Sequence, residues 1–143
     1  TRTLKVSSSD LRRIKIADEY AELFMDEAPT FAVVGACAIG ETVIRDIAPL
    51  REGDRDVIAL TVEGLRRMGV RVGEMPDGLV IQGVNALQGS EVDAGGDPRV
   101  GIAFTIAGMA AEGETRVLNP GPIEETYPGV LSRIESVAVA GRS

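Results

Sequence analysis

The segment from Gly40 to Arg55 determines the predicted fold, because it joins a strand to a helix through a charged loop. It reads GETVIRDIAPLREGDR. The alternation in Glu41–Ile44 predicts a short strand, and the apolar stripe from Asp54 to Met68 predicts an amphipathic helix. Between them, Pro49–Arg55 places two arginines and two carboxylates in a strand-to-helix loop. A helix N-terminus offers free N–H groups and a positive dipole end, so this loop is a candidate site for phosphate or carboxylate chemistry.

The same order of elements occurs twice along the chain. Gly40-Glu41-Thr42 recurs as Gly113-Glu114-Thr115, and each triplet ends an alanine-rich helix and begins a strand. In the same register, Val57-Ile58 in one helix matches Val130-Leu131 in a later one. This repetition predicts a layered α/β domain built from about two units of helix, strand, helix and strand, with further strands between them.

The other predicted elements follow from local signals. Asp26-Glu27-Ala28-Pro29 is typical of a helix start, and the helix it opens has small apolar residues on nearly every side, which predicts burial. Gly40 is expected to end that helix. The remaining elements are a strand at Thr3–Val6, an ambiguous segment at Leu11–Met25, a hairpin of Val70–Val72 with Leu79–Ile81 around Pro76-Asp77-Gly78, a short strand at Glu91–Asp93, a helix at Val100–Ala111, a strand at Arg116–Leu118 and a last helix opened by Thr126-Tyr127-Pro128.

Composition excludes several classes of function. The 143 residues fit one globular domain, and aromatic residues are only 3%, so the core must be aliphatic. With no histidine, His-dependent triads and His-type metal sites are excluded. A net charge of −7 argues against nucleic acid as a partner. The single cysteine, Cys37, lies in an apolar run and is expected to be a buried thiol. No signal peptide or membrane span is visible, so the sequence predicts a cytoplasmic protein.

The repeat is expected to gather three charged loops at one end of the domain: Asp26-Glu27, Arg51 to Arg55, and Asp97 to Arg99. Arginines at fixed positions hold carboxylate or phosphate through paired hydrogen bonds, and neighbouring carboxylates transfer protons. Together they indicate a site for a small anionic substrate with acid/base chemistry.

Simpler interpretations of the same residues stay open. Arg51 and Arg55 could form surface pairs with Glu52 and Asp54, worth under about 1 kcal/mol. Asp54 could be only an N-cap, and Asp97 only a turn residue before its proline. The acids ahead of the first helix could merely favour its dipole.

Several ordered motifs give the chain a resemblance to a known family. Nearly the whole chain, from about Lys5 to Ala138, resembles the C-terminal part of the enolpyruvylshikimate-phosphate synthase (3-phosphoshikimate 1-carboxyvinyltransferase) family. The matching motifs are Asp26-Glu27-Ala28-Pro29, Gly40-Glu41-Thr42 followed by Leu50 and Arg51-Glu52-Gly53-Asp54-Arg55, Gly78-Leu79-Val80-Ile81-Gln82-Gly83, Gly96-Asp97-Pro98-Arg99 and Thr126-Tyr127-Pro128. Within them Arg51 replaces a lysine, Gly53 a hydroxyl residue and Pro98 a histidine.

The resemblance implies a fold of repeated βαβαββ units, of the inside-out α/β barrel type that the family forms. This chain would supply about two units of a C-terminal domain, over residues 1–73 and 74–143, in roughly the last third of a longer protein. The implied reaction moves the enolpyruvyl group of phosphoenolpyruvate onto the 5-hydroxyl of shikimate 3-phosphate and releases phosphate. It belongs to the shikimate pathway of aromatic amino acid biosynthesis, is inhibited by glyphosate and requires no cofactor.

The resemblance also assigns roles to residues. Asp26 would be the general base at the hydroxyl, and Glu52 would exchange the proton on the methylene carbon. Arg51, Arg55 and Arg99 would bind phosphoenolpyruvate. The implied partners are the two substrates and the missing N-terminal portion of the enzyme, without which the chain is expected to be inactive or weak. The alternatives are a diverged non-catalytic domain that binds an anion or a protein, and, less favoured, a sister transferase acting on an aminosugar nucleotide.

Overall fold

The computed structural model describes residues 13–16, 25–130 and 132–133 of the chain. The strand predicted at Thr3–Val6 and most of the ambiguous segment before Met25 lie outside the described residues, as does the end of the last predicted helix. The elements are β1 (Arg13–Ile16), α1 (Ala28–Cys37), β2 (Glu41–Ile44), α2 (Val57–Arg67), β3 (Arg71–Met75), β4 (Gly78–Gln82), β5 (Glu91–Asp93), α3 (Pro98–Ala110), β6 (Arg116–Leu118) and α4 (Ile123–Thr126). Short 3-10 turns at Met25–Glu27 and Ala48–Arg51 precede α1 and α2.

The first six elements form one βαβαββ unit, which confirms the predicted α/β class. Its four-stranded sheet has the order β1-β2-β4-β3, with β1 parallel to β2 and β4 antiparallel to both of its neighbours. The predicted hairpin is confirmed, with Val72 opposite Ile81. The predicted unit boundary between residues 73 and 74 falls inside β3, and the sheet continues to Gln82. We therefore propose that the first unit continues to Gln82.

A second unit begins with β5, α3 and β6. β5 and β6 pair in parallel, with Val92 opposite Val117, and together they make a two-stranded sheet. Among the described residues neither sheet closes into a barrel.

Both units pack the first helix on the second strand in the same way. A Cβ atom added to Gly35 of α1 would lie 2.8 Å from the Cβ of Thr42, and one added to Gly108 of α3 would lie 3.0 Å from the Cβ of Thr115. Each glycine precedes its threonine by the same spacing, so the repeat predicted from sequence extends to the contacts between helix and strand.

The helices begin where their capping groups place them. The side chain of Asp56 accepts a hydrogen bond from the Ala59 N–H at 3.0 Å, so Asp56 is the N-cap of α2. The prediction that this helix starts at Asp54 is therefore wrong by three residues, and Asp54 lies exposed in the preceding loop. Asp97 caps α3 by accepting from the Arg99 N–H at 2.9 Å.

The core is aliphatic, as predicted, around one buried aromatic residue. Phe104 of α3 is fully buried, and its ring occupies the space that a side chain on Gly64 of α2 would need. Cys37 was predicted to be buried, and this is wrong: it lies exposed at the last residue of α1. Burial of part of its surface raises the pKa of the thiol, so it stays protonated at neutral pH. No helix in the described part of the chain is long and apolar enough to cross a membrane.

Candidate active site

The N-termini of the three longer helices meet at one end of the domain. Ala28 and Pro29 of α1 line a small apolar crevice together with Val57 and Ile58 of α2. The first turn of α3 joins them through Arg99, whose guanidinium Nη1 lies 3.2 Å from Oδ1 of Asp26, just before α1. The predicted gathering of the loops around Asp26 and Asp97 is therefore present in the structure.

Arg99 is held between two carboxylates. Its Nη2 donates to Oδ2 of Asp97 at 2.7 Å and its Nε to Oδ1 of the same carboxylate at 3.1 Å. This paired geometry is the arrangement in which a guanidinium binds a carboxylate most strongly. Asp26 is the exposed member of the cluster, because 78% of its side chain is accessible to solvent. Asp26 is thus the carboxylate of this cluster that a substrate can reach.

Asp97 anchors this cluster from the protein interior. Its exposed fraction is only 2%. Burial alone would raise the pKa of this carboxyl, but the hydrogen bonds and charge of Arg99, together with the N–H groups of Arg99 and Val100, outweigh it and lower the pKa. Hydrogen bonding to Asp97 raises the pKa of Arg99 in turn. Both groups are ionised at neutral pH, so the ion pair with Asp97 fixes the orientation of the Arg99 guanidinium in the site.

Tyr127 adds a hydroxyl beside the cluster. The pKa of this phenol is raised, mainly by burial and next by the negative charge of Asp26. The positive charge of Arg99 lowers the pKa by a smaller amount. The phenol is protonated at neutral pH and is available as a hydrogen-bond donor or acceptor.

Arg55 lies beside the loop that precedes α3. A Cβ atom on Gly96 would lie 3.5 Å from its Nε and Nη2, so the guanidinium rests against the glycine that precedes Asp97. Gly96 has φ +80°, a conformation that favours glycine, and a Cβ atom there would make ordinary van der Waals contact with the guanidinium. Arg55 forms no hydrogen bond or ion pair within the described residues. It borders an open groove of about 390 Å³ that Asp54, Asp56, Ala59, Leu60, Glu63 and Gly95 also line.

Arg51 points in a different direction from the other predicted binding residues. Its Nη1 lies 2.7 Å from Oδ2 of Asp56 and 2.9 Å from Oε2 of Glu74. Its Nε and Nη2 donate to the carbonyl oxygens of Pro76 and Met75 at 2.9 and 2.6 Å. All three guanidinium nitrogens therefore tie the loop and the α2 N-cap to the β3–β4 turn. The prediction that Arg51 binds substrate requires it to exchange these partners.

Replacing Arg51 with methionine is expected to lower the stability of the chain. The variant leaves Asp56, Glu74 and two carbonyls without their donor, and for a partly exposed site we expect a loss of about 1 kcal/mol, or about 4 °C in Tm. Thermal unfolding followed by circular dichroism measures it. Arg67→Met, which removes only an exposed pair with Glu63 on α2, is the matched control and is expected to shift Tm by about 1 °C or less. Equal shifts in both variants would contradict the assignment.

The rest of the charged loop is open to solvent. Glu52 is exposed, and its carboxylate makes no hydrogen bond or ion pair in the described part of the chain, either with Arg51 or with the Asp26 cluster. The simple surface pairs considered for Arg51 and Arg55 with Glu52 and Asp54 do not form among those residues. Within the same ranges there is also no group of three or more His, Cys, Asp or Glu residues placed to hold a metal ion.

The site includes residues to which sequence reasoning gave no role. The sequence does mark Asp56 as a candidate N-cap, because it directly precedes the first buried residue of the helix, Val57. Tyr127 lies in a noted motif but had no assigned chemistry. Glu74 occupies an ordinary exposed strand position, so no sequence signal marks it as a partner of Arg51.

Comparison with known proteins gives one consistent result. The family model described as EPSP synthase (3-phosphoshikimate 1-carboxyvinyltransferase) matches residues 2–134. A protein named 3-phosphoshikimate 1-carboxyvinyltransferase from Roseiflexus sp. (strain RS-1) is 41% identical over 132 residues, and one of the same name from Brevibacillus brevis is 40% identical over 126 residues. These matches cover 90% and 88% of this chain but 30% of each relative.

The solved structures agree with the sequence matches. A structure of EPSP synthase from Acinetobacter baumannii superposes with a TM-score of 0.80 and 26% identity, covering 90% of this chain and 30% of that protein. The chain therefore spans about 30% of the length of the relatives that it matches. With a family model that matches almost all of it, this chain belongs to the EPSP synthase family.

Proposed function

We propose that this chain forms one part of the active site of a 3-phosphoshikimate 1-carboxyvinyltransferase. The whole enzyme would transfer the enolpyruvyl group of phosphoenolpyruvate to the 5-hydroxyl of shikimate 3-phosphate and release phosphate. The observation that carries the proposal is the Asp26–Arg99–Asp97 cluster, in which an exposed carboxylate contacts an arginine that a buried carboxylate holds in place. The names of the relatives support this activity for the relatives themselves. For this chain, the support comes from the Asp26–Arg99–Asp97 cluster.

The chemistry of the reaction fits the types of residue in the cluster. Both substrates are anions, so the site needs fixed cations; Arg99 lies in the first turn of α3, and Arg55 lies next to Gly96 just before it. The hydroxyl must lose a proton as it attacks, and Asp26 is the proposed acceptor. The methylene carbon must gain a proton and then lose one, and Glu52 is proposed for both steps because its carboxylate is exposed and unpaired among the described residues. Arg51 is proposed to bind phosphoenolpyruvate as well, on the condition that the substrate replaces Asp56 and Glu74 as its partners.

The proposal includes a partner, the part of the enzyme that this sequence does not contain. The relatives are more than three times as long as the region matched here, and the site faces solvent at Asp26 and Glu52. We infer that the remaining portion supplies further contacts to the substrates, in particular to shikimate 3-phosphate, and that the chain alone is inactive or weak.

Reconstitution tests the proposed activity. The 143-residue chain is mixed with the Roseiflexus relative from which the matched 132 residues have been removed. Release of phosphate from phosphoenolpyruvate is then followed with shikimate 3-phosphate present. We expect turnover in the mixture and at most a trace with either part alone. Full turnover by the chain alone would contradict the need for a partner, and no turnover in a mixture shown to associate would contradict the enzyme assignment.

A second candidate function rests on the state of the arginines. Of the three predicted to bind substrate, Arg51 and Arg99 are each neutralised by two carboxylates, and only Arg55 has no such partner within the described ranges. Because two of the three arginines already have carboxylate partners, this arrangement favours a diverged, non-catalytic domain that binds an anion or a protein. Pro98→His in the reconstituted mixture separates the two candidates, because restoring the family histidine should raise the rate of a weakened enzyme and leave a non-catalytic domain inactive.

A further inference from the structure

The charged loop of residues 52–55 has few contacts of its own. Glu52 is exposed, and its carboxylate has no hydrogen-bond or ion-pair partner among the described residues. Gly53 has φ +87°, and a Cβ atom placed there would have no heavy atom within 4 Å other than its chain neighbours. Arg55 touches Gly96 but has no charged or hydrogen-bonding partner in the described ranges. The position of this loop must therefore be set by the residues at its two ends.

An ion pair joins the two ends of the loop. Nη1 of Arg51, before the loop, lies 2.7 Å from Oδ2 of Asp56, after it. Oδ1 of the same carboxylate accepts from the Ala59 N–H at 3.0 Å and caps α2. Asp56 thus uses one oxygen to close the loop and the other to attach the loop to the helix.

The β3–β4 turn supplies a fixed support for this ion pair. Nη1 of Arg51 also lies 2.9 Å from Oε2 of Glu74, and the guanidinium donates to two carbonyl oxygens of the turn at 2.6 and 2.9 Å. The turn is tied in addition to the segment after β2, because the Asp77 carbonyl accepts from the Ile47 N–H at 2.9 Å. A planar guanidinium with all three nitrogens engaged is held in one orientation. Arg51 therefore connects the loop to a part of the fold that has its own hydrogen bonds.

We propose that Arg51, Asp56 and Glu74 form a clasp that positions the loop for catalysis, with Asp56 and Glu74 as positioning residues that act through Arg51. The clasp holds Glu52 and Arg55 in place before the substrate arrives, and groups that are already positioned need no further ordering when phosphoenolpyruvate binds. This role rests on the proposed function for the reaction itself, and it adds two residues to which that function assigns no part. Direct binding of the substrate by Arg51 requires the clasp to open, so the two roles of Arg51 predict opposite effects of loosening it.

Protease cleavage of the loop tests the clasp in the chain alone. Glu74→Met removes one carboxylate partner of Arg51, and Glu91→Met, at an exposed strand position on β5, is the matched control. The initial rate at which a glutamate-specific protease cleaves the Glu52–Gly53 bond is measured by mass spectrometry. We expect cleavage to be about fivefold faster in Glu74→Met and less than about twofold faster in Glu91→Met. Cleavage after Glu63, within α2, reports general unfolding and is expected to change in neither variant.

The same measurement shows whether Glu74 acts through Arg51. Arg51→Met is expected to speed cleavage of the loop by itself. Adding Glu74→Met to that variant should have no further effect, because the guanidinium on which Glu74 acts has been removed. Additive acceleration would mean that the two side chains hold the loop independently.

Steady-state kinetics connect the clasp to the reaction. Each variant is mixed with the Roseiflexus relative from which the matched 132 residues have been removed. Glu74→Met is expected to lower kcat/KM for phosphoenolpyruvate by about tenfold, because Glu52 and Arg55 are no longer held in place. The KM for shikimate 3-phosphate should change by less than about twofold, since the remaining portion of the enzyme is proposed to contact that substrate. A general loss of structure would affect both substrates alike.

Three results would overturn the proposal. The first is cleavage of the loop no faster in Glu74→Met than in Glu91→Met, and the second is additive acceleration in the double variant. The third is a lower KM for phosphoenolpyruvate in Glu74→Met, which would assign Arg51 to direct binding of the substrate. Faster cleavage in Glu74→Met with no turnover in any mixture would support the clasp while the proposed function fails.

Discussion

Asp26→Asn in the reconstituted enzyme is expected to reduce turnover by about 10²- to 10⁴-fold, the usual contribution of a positioned general base, which is the role proposed for Asp26. Asparagine keeps the size of the side chain and an oxygen that can accept from Arg99, but it cannot take a proton from the attacking hydroxyl. Binding of phosphoenolpyruvate should change far less, because Arg99 remains held by the buried carboxylate of Asp97 at 2.7 Å. The loss should therefore appear in kcat rather than in KM.

A neighbouring carboxylate provides the control for this experiment. Glu27→Gln makes the same change in charge one residue further along the chain, at a side chain that is exposed and makes no cap hydrogen bond. It is expected to change turnover by less than about threefold, since interactions between solvent-exposed charges are weak. If Glu27→Gln lowered turnover as much as Asp26→Asn, the effect would be one of local charge, and Asp26 would lose its proposed role as base.

The fold was predictable where local sequence signals and the repeat agree. Glycine at the ends of helices, the Pro76-Asp77-Gly78 turn and the repeated Gly-Glu-Thr triplets were enough to predict the α/β units and the hairpin. The meeting of Asp26 with Arg99 also follows from the repeat, because equivalent helices begin at the same end of their units. These features depend on backbone conformation and element order, which short-range patterns specify.

The wrong predictions concern side chains whose contacts depend on how segments that are distant in sequence come together in the folded chain. Arg51 has acids beside it in sequence, yet it pairs with Glu74 on β3, because the loop and the β3–β4 turn come together only after the sheet has formed. Cys37 was misplaced because α1 is apolar on every side, so its sequence has no polar face to show which residues point outward. Asp54 and Asp56 are equally good caps by residue type, and contact of Val57 with the core decides between them.

Asp97→Ala is expected to cost about 3 kcal/mol of unfolding free energy and to lower Tm by about 10 °C at neutral pH. The substitution removes the cap of α3 and both side-chain hydrogen bonds to Arg99, and it leaves the guanidinium without the partner that orients it. Urea unfolding at fixed temperature measures the change. Asp54→Asn, at an exposed carboxylate outside α2, is the control, with an expected effect within about 0.5 kcal/mol.

The pH dependence of the unfolding free energy separates a charge effect of Asp97 from a simple loss of packing, which would not produce the same change with pH. Since Arg99 and two backbone N–H groups lower the pKa of Asp97 in the folded state, the stability this carboxylate contributes is complete above its unfolded pKa, near 4. It is lost as the pH falls through the lower folded pKa. The difference in unfolding free energy between the unmodified chain and Asp97→Asn should therefore be constant from pH 7 to about pH 5 and shrink towards pH 3.

A double-mutant cycle decides whether that stability comes from the pair with Arg99. Asp97 is 2% exposed, so its charge is costly to bury unless the guanidinium compensates it. Asp97→Asn and Arg99→Met should consequently be non-additive, with a coupling energy of about 1–3 kcal/mol at pH 7 that declines at pH 3. Additive losses at both pH values would mean that Asp97 acts only as a helix cap. In that case the orientation of Arg99, on which the proposed anion site depends, would have to come from Asp26 alone.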